Sequence, residues 1–311
     1  MKKPIALKPL FDNADLGIAE SEKKPASLPL SKGVKLDYSD YTFGIVQGCA
    51  KVSHGCAHCY AEEDAQNWGI NVGGLPVWGQ NALRKTHGED HWNEPLKWEK
   101  DAANAEDAVR PPLVFSSPMA DVFEDHPTVN QERPKLWDLI QQTPNLNWHI
   151  VTKRHDNIEK NLPWSKIDKP WSNLWISVSV ENDYWANKRL PIIASLNIAV
   201  RGAHLEPLLG QVPSLAQYIN QLDWVLVGGE SRDNDPPKAR IMQPAWVKDI
   251  KAICNGAGVP FFFKQWGSQK PVAVNPDGSI KFKAVRRWQA GYILMGKVYR
   301  DWPVPKIGKP R

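Results

Sequence analysis

Long hydrophobic runs are missing from this sequence of 311 residues. No apolar stretch approaches the ~18 residues that a membrane-spanning helix requires, so we expect no membrane partner. The basic N-terminus also lacks the unbroken apolar core of ~7–15 residues that defines a signal peptide, because a proline and a lysine interrupt it. Hydrophobic residues make up 42% of the chain and charged residues 23%, which excludes a disordered protein. The sequence therefore predicts a cytoplasmic globular protein.

Cysteine is scarce, with four residues, and their distribution does not suit a disulfide framework. Cys49, Cys56 and Cys59 form a C-x6-C-x2-C cluster, whereas Cys254 stands far away. Four cysteines of a secreted chain could form two bridges, but a cluster of three without a signal peptide favours metal binding. Cys254 ends an amphipathic segment and is predicted to be a buried free thiol.

Three thiolates on one loop call for a soft metal centre, and two kinds of centre remain open. One is tetrahedral zinc, with His54 or His58 as a fourth ligand. The other is a cubane iron–sulfur cluster with three irons held by the protein and a fourth left open. Spacing alone does not choose between them. The loop lies between a predicted strand at 40–46 and a predicted helix at 60–68. Radical-SAM enzymes carry their cluster at this position of the fold.

Apolar segments rich in β-formers recur along the chain and predict strands, with helix-length segments between most of them. Near-continuous apolar strands that alternate with helices indicate a parallel sheet covered on both faces. We therefore expect an α/β fold, a full or partial TIM-type βα barrel. The predicted strands after the first are 112–116, 148–152, 174–180, 198–204, 224–227 and 259–263, and predicted helices include 130–142, 184–196 and 244–254.

Polar side chains follow every predicted strand at its carboxyl end. These ends meet at one face of a parallel barrel, and that face carries the active site of barrel enzymes. Together with the cysteine loop after the first strand, they predict a site at this face. The strand-end residues include Ser116, Ser117, Asp121, Lys153, Arg154, Ser179, Glu181, His204, Glu206, Glu230 and Lys264.

Positive charge is concentrated in one segment rather than spread along the chain. Residues 271–311 hold nine Lys/Arg against two acids, so their net charge is +7, and residues 1–270 sum to −2 because the whole chain is +5. Aromatic residues lie among these cations, a combination that suits phosphate contact and base stacking but also a basic tail that wraps the domain. The sequence thus predicts three parts: a polar N-terminal extension at 1–35, a barrel at 36–270 and a basic C-terminal arm at 271–311.

Several blocks of the chain resemble a known family. The cysteine motif GC-x3-S-x-GC-x2-CYAE is similar to that of a family of unknown function common in phages and prophages, which looks like a divergent radical-SAM branch. Further blocks agree in order, over about residues 40–302. They are SSPMADVFEDHP, HIVTKR, LWISVSVEN, LEPLLG, DWVLVGGESR and GVPFFFKQWG.

The resemblance implies a radical-SAM-like barrel with a [4Fe–4S] cluster on Cys49, Cys56 and Cys59 and with S-adenosylmethionine as cosubstrate. A reduced cluster of this kind cleaves S-adenosylmethionine and generates a 5′-deoxyadenosyl radical, so an external electron donor is also implied. The cofactor supplies this chemistry, and the protein orients the reactants and excludes water. The cofactor-binding residues would be His58, Ser116, Ser117, Asp121, Ser179 and Glu181, and the residues left for substrate would be Lys153, Arg154, Glu206, Glu230 and Lys264.

Three functions from different classes remain open. The first is a radical-SAM enzyme that modifies or isomerises a nucleic-acid base, with DNA bound by the basic arm. Some phages hypermodify the thymine of their own DNA, and an amino-acid-decorated thymine such as glycyl-thymine would be a suitable substrate. The second is a radical-SAM enzyme that acts on a small molecule or peptide. The third is a zinc-stabilised nucleic-acid-binding protein without catalysis. If a phage encodes the chain, the expected location is the host cytoplasm.

Overall fold

A computed structural model describes residues 38–105, 108–164 and 169–304. Its strands are β1 (Tyr41–Thr42), β2 (Asn71–Val72), β3 (Leu75–Pro76), β4 (Leu113–Ser116), β5 (Asn147–Thr152), β6 (Leu174–Ser179), β7 (Val200–Leu205), β8 (Trp224–Gly228), β9 (Phe261–Gln265), β10 (Gln269–Val274), β11 (Ile280–Ala284), β12 (Ile293–Leu294) and β13 (Lys297–Val298). Its α-helices are α1 (Tyr60–Asn67), α2 (Glu89–Ala103), α3 (Pro127–Gln142), α4 (Ile158–Asn161), α5 (Asp183–Ser195), α6 (Leu215–Tyr218) and α7 (Pro244–Ala257).

One parallel sheet organises the described residues, with seven strands in the order β1-β4-β5-β6-β7-β8-β9. This consecutive order is that of a βα barrel. The barrel stays open, since no pairing joins β1 to β9 within the ranges that the structure describes. The free edge of β9 is bonded instead to the end of the arm, where Phe263 N donates to the Tyr299 carbonyl oxygen at 2.9 Å. The predicted α/β fold is confirmed as a partial TIM-type barrel.

Both faces of the sheet are buried, which explains why its strands are apolar along their whole length. The outer face packs against the helices through residues such as Ile150 of β5, Ile176 of β6 and Leu136 of α3. The inner face holds an aromatic cluster below the site, which includes Phe115, Trp175, Trp224 and Phe262. This cluster fills the barrel, so the polar groups above it lie on a packed floor.

The predicted strands and helices are found, with shifted bounds. The first strand is shorter than predicted, with two residues, because the chain leaves the sheet after Thr42 to form the cysteine loop. The helices predicted at 130–142, 184–196 and 244–254 correspond to α3, α5 and α7. Helix α2 and the β2–β3 hairpin were not predicted.

The arm starts with an antiparallel hairpin, β10–β11, and a second short hairpin, β12–β13, follows it. Its described part ends at residue 304, so Lys306, Lys309 and Arg311 lie outside the described residues, as does the predicted extension at 1–35. No helix among the described residues is long and apolar enough to cross a membrane.

Candidate active site

The cysteine loop, residues 47–59, lies at the carboxyl ends of the strands and is held there by backbone contacts. Gly48 N donates to the Met119 carbonyl oxygen at 3.0 Å, and Gly79 N donates to that of Cys49 at 3.0 Å. Gly48 has a φ of 117°, and a Cβ at this position would overlap the Val77 carbonyl oxygen, so glycine is required. The loop is thus clamped between the end of β4 and the segment at 77–79.

The three cysteines of the loop are half-buried free thiols. Arg154, just after β5, places Nη1 3.4 Å from the Cys49 sulfur. Burial raises the pKa of Cys49 to about 12, although Arg154 opposes that shift. Burial also raises the pKa of Cys59, whereas at Cys56 the charge of Lys153 and nearby hydrogen bonds outweigh burial and lower the pKa. Two strand-end cations therefore face the loop and would balance the negative charge of thiolate ligands.

The donor set of the cysteine loop suits an iron–sulfur cluster in its chemistry. The described part of the chain contains no group of three or more His, Cys, Asp or Glu side chains placed to hold a metal ion. Three soft sulfur donors with two compensating cations fit a thiolate-bound cluster in their chemistry. The ligand roles of Cys49, Cys56 and Cys59 therefore stay a prediction.

Asp121 and Arg154 form one buried ion network behind the loop. Asp121 Oδ2 accepts from Arg154 Nη1 at 3.0 Å and from the Lys153 backbone, and Asp121 Oδ1 accepts from the Thr152 hydroxyl at 2.7 Å. Arg154 also donates to Glu124 Oε1 at 2.7 Å. Asp121, predicted to bind cofactor, and Arg154, predicted to bind substrate, thus contact each other, and Arg154 also lies 3.4 Å from the Cys49 sulfur. Both predicted roles stay predictions.

Arg84 completes the network and was missed by sequence reasoning. Its side chain is 1% exposed and donates to both oxygens of Glu124, at 2.8 and 3.0 Å, and to the carbonyl oxygens of Val77 and Gly79. Since these carbonyls belong to the segment that clamps the loop, Arg84 fixes that segment. A single arginine in an irregular stretch gives no periodic signal by which it could be found.

We expect Arg84→Met to lower the free energy of unfolding by ~3–5 kcal/mol, because it leaves a buried carboxylate short of a partner. The matched control is Lys135→Met, which removes an exposed lysine from its ion pair with Glu132 and should cost under ~1 kcal/mol. Denaturant unfolding of both variants checks the prediction, and equal losses would contradict it.

Glu181 and Arg189 form a second buried pair beneath the loop. Ser53 Oγ donates to Glu181 Oε1 at 2.6 Å, and Arg189 Nη1 donates to Glu181 Oε2 at 2.8 Å. Lys153 Nζ donates to the Ser179 hydroxyl at 3.3 Å, so the predicted pair Ser179 and Glu181 does lie by the loop. Nε and Nη2 of Arg189 are buried and have no hydrogen-bond partner among the described residues. The Arg189 guanidinium also stacks on the Trp185 ring, with its central carbon 3.9 Å from the ring centre.

An open cavity of about 730 Å³ lies beside the loop and is lined in part by the loop residues Ala50, Lys51 and Val52. Arg189, Lys153 and Arg154 contribute to its wall, as do the indole rings of Trp78 and Trp185. Carboxylates line it as well, among them Glu62 and Asp156, so the cavity offers groups of both charges beside its aromatic rings. Ser116 and Ser117 lie at the end of β4; the buried Ser116 hydroxyl lacks a partner within the described ranges.

His58, between the last two cysteines, is anchored to the end of β8. Its Nδ1 lies 3.0 Å from Glu230 Oε2, and Arg240 binds the same carboxylate while donating to the His54 carbonyl oxygen at 2.9 Å. Burial would raise the pKa of Glu230, but hydrogen bonds from Arg240 and His58 outweigh it and lower the pKa. Glu230, predicted to serve the substrate, thus contacts His58 of the loop, and its role toward substrate stays a prediction.

Glu206, His204 and Lys264 form a polar cluster inside the barrel, above the aromatic floor. His204 Nε2 lies 2.9 Å from Glu206 Oε2, and Lys264 Nζ binds the same carboxylate. Burial would raise the pKa of Glu206, but Lys264 and His204 outweigh it and hold the pKa well below its ordinary value. The structure therefore brings Glu206 and Lys264 together as a partly buried ion pair.

His204 stays neutral in this cluster, since burial and the charge of Lys264 lower its pKa to about 4. Its Nε2 faces two partners, Glu206 Oε2 at 2.9 Å and Lys264 Nζ at 3.4 Å, of which the carboxylate accepts a hydrogen bond and the ammonium donates one. Its Nδ1 is buried and has no partner among the described residues. His149, whose Nε2 lies 2.7 Å from the Ser177 hydroxyl, also has a pKa well below its usual range because it is buried beside His204.

These histidines predict a loss of stability in mild acid. The unfolded chain takes up a proton near pH 6.5, before the folded chain does, so stability falls as the pH drops from about 6.5 toward 4. Between pH 7.5 and pH 5, His204 alone should account for ~2 kcal/mol. Denaturant unfolding at the two pH values should show a smaller difference in His204→Gln than in the unchanged protein. Equal differences would contradict the prediction.

Comparison with known proteins found one similar solved structure and one family whose model matches the chain. No curated protein matches the chain. Among solved structures, a mutant of spore photoproduct lyase is 13% identical, with a TM-score of 0.39, over 84% of this chain and 74% of that one. Residues 33–303 match the family described as "Protein of unknown function (DUF5131)". Since the match spans most of the chain, the protein belongs to the DUF5131 family.

Proposed function

We propose that the protein is a radical-SAM enzyme whose [4Fe–4S] cluster is bound by Cys49, Cys56 and Cys59. One observation carries the proposal: three free, half-buried thiols occupy a clamped loop at the carboxyl mouth of a parallel partial barrel, with Arg154 3.4 Å from Cys49. A zinc knuckle needs neither the barrel nor the cations, so this arrangement supports the iron–sulfur alternative. Free thiols also agree with a cytoplasmic location, where cysteines stay reduced.

The residues proposed to bind S-adenosylmethionine lie in the cysteine loop or at the strand ends beside it. His58 belongs to the loop, and Glu181 accepts from Ser53 of the loop. The other candidates are Ser116, Ser117 and Asp121 at or after the end of β4 and Ser179 at the end of β6. Bound to a reduced cluster, S-adenosylmethionine supplies a radical that removes a hydrogen atom from the substrate.

The cluster of Glu206, Lys264 and His204 is the part of the site that would meet the substrate. Its carboxylate is ionised, its lysine is held in place by that carboxylate, and both lie above a dry aromatic floor. Such a pair can accept hydrogen bonds from a polar ring through its carboxylate and donate them through its lysine. Lys153 lies between this cluster and the cysteine loop, beside Ser179.

We assign a nucleic-acid base as the substrate, most specifically a modified thymine in DNA such as glycyl-thymine. The support is the basic arm, in which Lys281, Lys283 and Arg286 are exposed and the nearby Trp288 is 75% exposed. Phosphate binding by lysine and arginine is the general source of affinity for nucleic acids. An external electron donor completes the proposal.

Two measurements test the proposal. Protein purified without oxygen should be brown, contain about four irons per chain and produce 5′-deoxyadenosine from S-adenosylmethionine when reduced. Colourless protein with one zinc would support the zinc alternative instead. Mass spectrometry of nucleosides from host DNA, with and without the gene, should show a modified thymine; unchanged nucleosides would indicate a small-molecule or peptide substrate.

A further inference from the structure

An exposed tryptophan lies among cations on the arm, close to the mouth of the barrel. Trp288 is 75% exposed and belongs to a single 3-10 turn, Arg287–Gln289. Lys281 and Lys283 project from one face of β11, two residues apart, and both are exposed, as is Arg286. We call Lys281, Lys283, Arg286, Arg287 and Trp288 the arm platform. A lone exposed indole is common on surfaces, but Trp288 directly follows Arg286 and Arg287 in the chain, and the exposed Lys281 and Lys283 lie on the strand just before them. Arg287 is paired with Asp233 at 3.5 Å, which leaves Lys281, Lys283 and Arg286 as the exposed cations for a polyanion that also carries flat rings.

The arm platform is placed against the cysteine loop by contacts on two sides. Arg287 N donates to Asp233 Oδ1 at 2.6 Å, and the Arg287 guanidinium lies 5.8 Å from the ring of Tyr60. Tyr60 directly follows Cys59 and donates its hydroxyl to the Pro118 carbonyl oxygen at 3.0 Å. The platform therefore sits next to the residues that follow the last cysteine.

The root of the arm is fixed to the strand ends, so the position of the platform is set by the fold. Ser268 N donates to the Glu230 carbonyl oxygen at 2.7 Å, and Val285 N donates to that of Ser268 at 2.9 Å. A Cβ at Gly229 would overlap the Trp266 carbonyl oxygen, which shows how closely the two segments cross. Through Glu230 and His58, this root is tied to the cysteine loop itself.

We propose that the arm platform binds an unpaired nucleotide of single-stranded or locally opened nucleic acid, with the base stacked on Trp288 and flanking phosphates on the cations. The inference rests on the proposed nucleic-acid substrate and states the form in which it is bound. An indole stacks on a base only where the π-face of the base is free. A base that must reach polar groups inside a barrel also has to leave its duplex stack first. The platform thus holds the strand while the base, or its neighbour, enters the mouth.

Fluorescence anisotropy with the full chain, without S-adenosylmethionine, tests the platform separately from catalysis. The probes are a fluorescein-labelled single-stranded oligothymidylate and the same strand in a duplex. The unchanged protein should bind the single strand several-fold more tightly. Trp288→Ala should weaken that binding ~5- to 100-fold, and Trp288→Phe should restore most of it, since one stacked base contributes this much.

The control is Trp68→Ala, which removes an indole of similar exposure, 65%, that lies at the end of α1 rather than among the arm cations, and it should leave the affinity unchanged. The salt dependence of the binding constant separates the contribution of charge from that of stacking. Lys281→Glu combined with Lys283→Glu should flatten the slope of log K against log salt by about 0.7 for each phosphate that the variant no longer binds. Trp288→Ala should keep the slope of the unchanged protein.

The inference is overturned if Trp288→Ala binds the single strand as tightly as the unchanged protein does. It is also overturned if polyglutamate, a polyanion without bases, competes as well as DNA. Iron content and 5′-deoxyadenosine formation are measured on the same preparations. If the unchanged protein binds the single strand but contains no iron and forms no 5′-deoxyadenosine, the proposed enzyme is refuted and the platform stands. If it contains iron and forms 5′-deoxyadenosine but does not bind the single strand, the platform alone is refuted.

Discussion

Replacing Cys49, Cys56 or Cys59 singly by alanine should abolish iron binding and 5′-deoxyadenosine formation in protein reconstituted without oxygen. Each thiolate of a three-cysteine site holds one iron, so none can be lost without losing the cluster. The thiol burial that raises the pKa of Cys49 to about 12 does not prevent ligation, because a bound metal ion displaces the thiol proton. Iron analysis and the absorbance of the brown protein measure the outcome.

Cys254→Ala is the matched control, since it removes a thiol that is buried in α7 and far from the loop in sequence. Its iron content and turnover should equal those of the unchanged protein. If iron binding also required Cys254, or if two of the loop variants kept a full complement of iron, the three-cysteine assignment would be wrong. An equal loss of zinc in all three loop variants would identify a zinc site.

The barrel and the placement of its polar groups could be predicted because they follow from repeated local patterns. Each strand is a short apolar run, and each run ends in polar residues, so parallel pairing alone brings Lys153, Glu206 and Lys264 to one edge. The open form of the barrel could not be predicted. Whether β9 meets β1 or the arm depends on contacts such as Phe263 to Tyr299, which no local pattern encodes.

Residues that act through tertiary contacts escaped prediction for the same reason. Arg84 and Glu124 are forty positions apart, and neither stands at a strand end. Arg189 lies within α5, where an arginine normally predicts a solvent-facing position, yet here it is fully buried under Glu181. The β2–β3 hairpin did carry a readable signal: Gly73 and Gly74, with φ of 60° and 81°, form the two-residue turn that a Gly-Gly pair between strands indicates.

Glu206→Gln should lower substrate turnover by ~100-fold or more while leaving iron content unchanged, if the carboxylate acts on the substrate. The substitution keeps the shape of the side chain and removes the charge that binds Lys264 and accepts from His204. Formation of 5′-deoxyadenosine without substrate should persist, because the cavity beside the cysteine loop is untouched. Product and 5′-deoxyadenosine are measured in the same reaction by mass spectrometry.

Glu206→Gln also leaves the ammonium of Lys264 without its partner, and the resulting loss of stability is a second cause by which turnover can fall. A double variant separates this cause from a direct role of Glu206 toward the substrate. Combining Glu206→Gln with Lys264→Met removes both charges together, so the free energy of unfolding should recover. If Glu206 serves the substrate, turnover in the double variant stays low despite that recovery. If turnover returns with stability, Glu206 is a structural partner of Lys264. Lys135→Met, which breaks the surface pair with Glu132, should change neither quantity by much.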